Sequence, residues 1–163
     1  MHDLGGGINP DLWSVSALVT EPPVPVATTP ASERGGRISP DGHWIAYVSN
    51  EAGRPDVYLQ EFPKPQTKRP ISVKGGSAPQ WRRDGREMYY LDSDGNLFAV
   101  PIATSPQLEI GVPKALFPTK LPSNRRNEYA VASNGQRFLI SVPMSEPVSG
   151  GYHVVTNWRA HSK

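Results

Sequence analysis

The sequence predicts an all-β protein built from repeated four-stranded antiparallel units. A tight turn at 39–42 (Ser-Pro-Asp-Gly) precedes an apolar strand at 44–48, and related turn-strand pairs follow near residues 84 and 134, at intervals of 43 and 50 residues. The 18 prolines and 15 glycines interrupt every long segment that could otherwise form a helix. Short strands that repeat every 40–50 residues or so are typical of propeller blades. We therefore expect a partial β-propeller of about three blades, either an open arc or part of a six-bladed ring.

The three turns share an aspartate or asparagine followed by glycine. Such a side chain accepts hydrogen bonds from nearby backbone amides, and glycine readily takes the left-handed conformation that closes the turn. The structural turn residues predicted on this basis are Asp41, Gly42, Asp84, Gly85, Asn134 and Gly135.

The repeat divides the chain into five segments. We expect a flexible lead-in, the outer half of one blade with strands at 12–15 and 24–28, two complete blades, and a blade that lacks its outermost strand. Their bounds are 1–10, 11–30, 34–73, 77–118 and 127–158. Because prolines flank 24–28, that strand should lie at a sheet edge.

Within a blade we letter the strands a to d outward from the axis. Strand a is predicted near Arg37-Ile38, at 78–82 and near 128–131, and strand b at 44–48, 88–91 and 138–142. Strand c is predicted at 57–59, 97–100 and 153–158, and strand d at 70–73 and 114–117, the latter after a loop that contains Pro106 and Gly111. Strand b at 44–48 is apolar on both faces, as expected for a sheet that packs between two others.

These repeats resemble the TolB-type, WD-like β-propeller repeat, most clearly over residues 39–49. Segments 81–87, 134–140 and 157–160 are similar to the C-terminal propeller segment of bacterial serine/threonine kinases and related sensor proteins. The resemblance covers about 11–163. Such propellers usually have six or more blades, and the kinase motifs are absent from this sequence. The resemblance implies a protein-binding sensor module that works in the periplasm or another extracytoplasmic space.

Composition excludes several classes of function. The net charge is +2 and the basic residues are dispersed, whereas nucleic-acid-binding proteins usually cluster them. The sequence has no cysteine, and no apolar run approaches the roughly 20 residues of a membrane span. The first residues lack the basic and apolar segments of a signal peptide, so the sequence itself leaves the compartment undecided.

No catalytic, metal-binding or cofactor-binding residue is predicted. The sequence contains neither G-x-S-x-G nor S-x-x-K, and its four histidines lack metal-ligand spacing. Asp92 and Asp94 fit a solvated hairpin better than a calcium loop, because the other ligands of such a loop are missing.

Two functions fit these observations. The first is a non-catalytic binding or scaffold module that belongs to a larger bacterial sensor or envelope protein and takes a protein, peptide or small ligand at the propeller axis. The alternative is an accessory or gating domain of a peptidase or hydrolase. An enzyme should gather carboxylates or histidines on the innermost strands, whereas here these strands carry the candidate channel-facing contacts Arg37, Gln80, Arg82 and Tyr129. This favours binding.

The two ends of the chain predict unpaired sheet edges. The strand at 154–158 has no predicted partner outside it, and the pair at 12–15 and 24–28 has no inner strands. Because unpaired edges and bare apolar faces drive association, we expect either a portion of a larger propeller or self-association through the open blade edges.

Overall fold

The computed structural model describes residues 9–18, 20–119, 121 and 129–141, and throughout this part the chain is all β with no helix. Thirteen strands are present: β1 Leu12–Ser14, β2 Val24–Ala27, β3 Glu33–Ile38, β4 Trp44–Ser49, β5 Asp56–Glu61, β6 Lys68–Pro70, β7 Ser77–Trp81, β8 Glu87–Leu91, β9 Asn96–Ala103, β10 Glu109–Ile110, β11 Lys114–Pro118, β12 Tyr129–Val131 and β13 Phe138–Ile140. The predicted all-β class is confirmed.

The first blade is a four-stranded antiparallel sheet in the order β3-β4-β5-β6. Every residue of β4 is buried, which agrees with the prediction that this strand packs on both faces. The outer strand was misplaced at 70–73, because the ladder ends at Pro70. After it, the amides of Ile71 and Ser72 both donate to the Val57 carbonyl, at 2.8 and 3.4 Å, and the chain leaves the sheet.

The second blade has the order β7-β8-β9, and two short strands share the outer edge of β9. β11 pairs with the first half of β9, and β10 pairs with Ile102 and Ala103 at its far end. β11 matches the predicted strand d. β10 was predicted as loop, since two residues near a proline and a glycine give no strand pattern of their own.

Two smaller sheets flank these blades. β1 pairs with β2, and β12 pairs with β13, both antiparallel. The predicted strand at 153–158, the residues 157–160 that contribute to the resemblance, and most of the lead-in at 1–10 lie outside the described residues.

Apolar clusters lie between consecutive sheets. One joins β2 to the first blade through Val26, Ile45 and neighbours, and one joins the first blade to the second through Leu59, Met88 and neighbours. A third joins the second blade to β12, where Tyr129 packs beside buried residues of β8 and β9. The described sheets thus stack face to face in chain order, and no strand pairing closes them into a ring. This is the arrangement of a partial propeller.

The three repeated turns share one geometry. Gly42, Gly85 and Gly135 have φ of 78°, 72° and 71°. In each turn the preceding side chain accepts a hydrogen bond from the amide two residues later. The distances are 3.1 Å in the first turn and 3.0 Å in the other two.

Candidate functional site

The innermost strands β3 and β7 carry matching bulges. Their registers shift between Arg34 and Arg37 and between Ser77 and Gln80. Within the bulges, Gly35 has a φ of 67° and its counterpart Ala78 a φ of 50°. Left-handed backbone is unfavourable for alanine, so the blade tolerates strain in order to keep this shape.

The bulged strands are joined to the next blade by side-chain hydrogen bonds. Trp81 Nε1 donates to the Arg37 carbonyl at 3.0 Å, and the Tyr129 hydroxyl donates to the Ala78 carbonyl at 2.7 Å. Each bond runs from one innermost strand to the one before it. These bonds fix the spacing of the strands that would surround the axis.

The four candidate contact residues have different surroundings. Arg37 and Gln80 occupy equivalent register positions on adjacent innermost strands, and both are partly exposed. No hydrogen bond to the Gln80 amide group is found within the described part of the chain. Tyr129 differs, because the residue is only 4% exposed and burial raises the pKa of its hydroxyl. It holds two blades together and does not face solvent.

Arg82 belongs to a polar network at the end of β7. Its Nε lies 2.7 Å from Asp84 Oδ1, and its Nη1 lies 3.1 Å from Glu87 Oε2. The Tyr89 hydroxyl donates to the same Glu87 oxygen at 2.5 Å. Glu87 and Tyr89 are two residues apart and so share a face of β8, a spacing that could have revealed this network from the sequence.

The polar groups of this network are paired with one another. The hydrogen bond from Arg82 lowers the pKa of Asp84, while burial, reinforced by Glu87, raises the pKa of Tyr89. Asp84 is therefore held ionised beside Arg82, and Glu87 is paired with the same cation, an arrangement that suits recognition better than proton transfer. The third turn covers this network closely, since a Cβ on Gly135 would lie 2.2 Å from the Tyr89 hydroxyl oxygen.

The hydrogen bonds of Asp41 in the first turn make the stability of the fold depend on pH. Burial alone would raise its pKa, but hydrogen bonds from the Ser39 hydroxyl, the His43 amide and the Thr104 hydroxyl together lower it below the ordinary value of 3.8. A carboxylate with a lowered folded-state pKa stabilises the fold above its unfolded pKa. That stabilisation is lost as the pH falls through the folded pKa.

We expect Asp41→Asn to reduce the loss of stability on the acid side, below about pH 4. The turn itself should survive, because Asn134 accepts the equivalent amide hydrogen bond in the third turn. Urea unfolding between pH 6 and pH 2.5 measures this difference. If the acid dependence of the variant equals that of the wild type, the titration of Asp41 does not contribute.

The described ranges also bear on metal binding and on membrane insertion. There, no three His, Cys, Asp or Glu side chains form a group that could hold a metal ion. Asp92 Oδ1 accepts the amides of Asp94 and Asn96, at 2.9 and 2.8 Å, in a hairpin turn. Over the described stretches of the chain, no helix has the length and apolarity needed to cross a membrane.

Comparison with known proteins supports the fold. No protein-family model matches the chain, and no curated protein matches it. Among solved structures, TolB from Acinetobacter baumannii is similar, with a TM-score of 0.56 over 78% of this chain and 18% sequence identity. The match spans 31% of the TolB chain. The chain therefore has a TolB-like propeller fold and corresponds to about a third of that protein's length.

Proposed function

We propose that this chain is a non-catalytic β-propeller binding module that takes a protein or ligand at the polar side chains of its innermost strands. The observation that carries the proposal is the equivalent placement of Arg37 and Gln80 on adjacent bulged strands. Both are partly exposed, and the neighbouring Trp81 and Tyr129 hold these strands in place through bonds between blades. Polar groups presented by a rigid scaffold are well suited to recognition.

The pairing of nearby carboxylates also supports binding over catalysis. The carboxylates near these strands, Asp84 and Glu87, are paired with Arg82. A general base needs a carboxylate that is free to accept a proton from substrate. By its resemblance to sensor propellers, the module would be part of a larger bacterial sensor or envelope protein and act outside the cytoplasm.

Site-specific photo-crosslinking tests this proposal. A photoreactive amino acid at Gln80 is expected to capture one discrete partner in producing cells, whereas the same group at Arg69, exposed on the outer strand β6, should not. The purified partner should then bind Arg37→Ala about ten-fold more weakly than the wild type, as expected for a lost charged hydrogen bond. Identical capture at both positions, or unchanged affinity of Arg37→Ala, would contradict the axial site.

A further inference from the structure

A cleft opens between the first two blades, at the end of the innermost strands opposite the Arg82 network. Its volume is about 330 Å³, within the range of about 300–1,000 Å³ typical of small-molecule pockets. Arg34 and Ser77, equivalent residues at the start of β3 and β7, lie on its two sides. The β4–β5 turn, the β8–β9 turn and the connector at 74–76 complete the wall.

The charged side chains of the lining are mainly cationic. Arg34, Arg54 and Lys74 contribute positive charge, and Asp92 contributes the one carboxylate of the lining. Arg54 is already committed, because its Nε lies 3.1 Å from Asp56 Oδ2 and its Nη2 donates to the Val73 carbonyl at 3.0 Å. For the side chains of Arg34 and Lys74, the described residues provide no hydrogen-bond or ion-pair partner.

Ser77 supplies a second, independent indication of a ligand. The residue is 7% exposed, and its hydroxyl is buried without a hydrogen-bond partner in the described part of the chain. Native proteins rarely leave such groups unsatisfied. A χ1 rotation that turns this hydroxyl into the cleft would let it donate to a ligand oxygen, while Arg34 and Lys74 balance the charge of the ligand.

We propose that this cleft is a binding site for a single carboxylate group. Counting Asp56 behind Arg54, the cations of the cleft exceed its carboxylates by one, which matches a monoanion and only half compensates a phosphate dianion. A carboxylate also accepts bonds from guanidinium, ammonium and hydroxyl donors together. The site is independent of the axial site, since Arg37 and Gln80 do not line it.

Titrations followed through backbone amide NMR signals test the proposal. N-acetylglycine is expected to shift the amides of Gly76, Ser77 and Ser93 in a saturable way, whereas its neutral analogue N-acetylglycinamide should not. Inorganic phosphate should bind more weakly than N-acetylglycine. A free small carboxylate and a peptide carboxyl terminus share this chemistry. Tighter binding of N-acetyl-trialanine than of N-acetylglycine would indicate a peptide terminus, and equal binding a small molecule.

A charge-matched pair of variants separates this site from general attraction to a basic protein. Arg34→Gln with Lys74→Gln should weaken binding of N-acetylglycine about ten-fold or more. Lys64→Gln with Arg69→Gln removes the same charge from exposed positions elsewhere and should change it less than about two-fold. Ser77→Ala provides a second test and should weaken binding several-fold. Equal weakening in both charge pairs, absence of saturation, or tighter binding of phosphate would overturn the proposal.

Discussion

Replacing Gly95 with alanine is expected to destabilise the protein by about 1–3 kcal/mol more than replacing Gly53. The two glycines close equivalent turns, between β8 and β9 and between β4 and β5. Their φ values are 79° and 84°. The backbone strain of alanine, about 1–2 kcal/mol, is therefore common to both variants and cancels in the comparison.

The difference arises from what lies beside each turn. A Cβ on Gly95 would lie 2.5 Å from the Leu121 carbonyl oxygen, whereas a Cβ on Gly53 would meet nothing within 4 Å. The Gly95 carbonyl also accepts bonds from the amide and hydroxyl of Thr119, at 3.0 and 2.7 Å. These bonds hold the turn against the backbone of Thr119 and Leu121. That backbone can move away from an added methyl group only if the bonds from Thr119 to Gly95 break.

Urea unfolding of the two single variants and the wild type gives the comparison directly. Gly53→Ala serves as the control for backbone strain. If both variants lose the same stability, then Thr119 and Leu121 yield to the added methyl group, and the close packing of this turn has no energetic consequence.

The strands could be predicted because their signals are local. The turns at Gly42 and Gly85 are specified by neighbouring residues, and so is strand b at 44–48, which is apolar on both faces. The observed strands agree with these predictions. The end of β6 and the existence of β10 were not predictable in this way. The first depends on two amides that share the Val57 carbonyl, and the second on a pairing to the far end of β9.

In the candidate sites too, local features could be predicted from the sequence and long-range contacts could not. Arg37 and Gln80 could be chosen from their position on predicted innermost strands. The role of Tyr129 could not, because its hydroxyl bonds to the Ala78 carbonyl, which is 51 residues away and available through a bulge. The cleft was also hidden from the sequence, since its wall combines residues from 34 to 93 that no motif connects.

Replacing Asp56 with alanine is expected to cost about 2–4 kcal/mol of stability, because two buried donors lose their acceptor. Asp56 is 4% exposed, and its Oδ1 accepts the Ser72 hydroxyl at 2.7 Å and the Gly75 amide at 3.1 Å. These bonds hold the connector that joins the first blade to the second. The pair with Arg54 adds little, since that side chain is 56% exposed and water can replace its partner.

Asp56→Asn is the matched control for this prediction. It retains an acceptor for Ser72 and Gly75 but places an amide NH2 where Asp56 Oδ2 accepts from Arg54. Because the Arg54 side chain is 56% exposed and can turn into water, this variant should cost less than about 1 kcal/mol. Urea unfolding measures both variants, and hydrogen exchange at the Gly75 and Gly76 amides should accelerate in Asp56→Ala alone. If the asparagine variant is as unstable as the alanine variant, then the ion pair with Arg54 stabilises the connector, and the two buried hydrogen bonds do not.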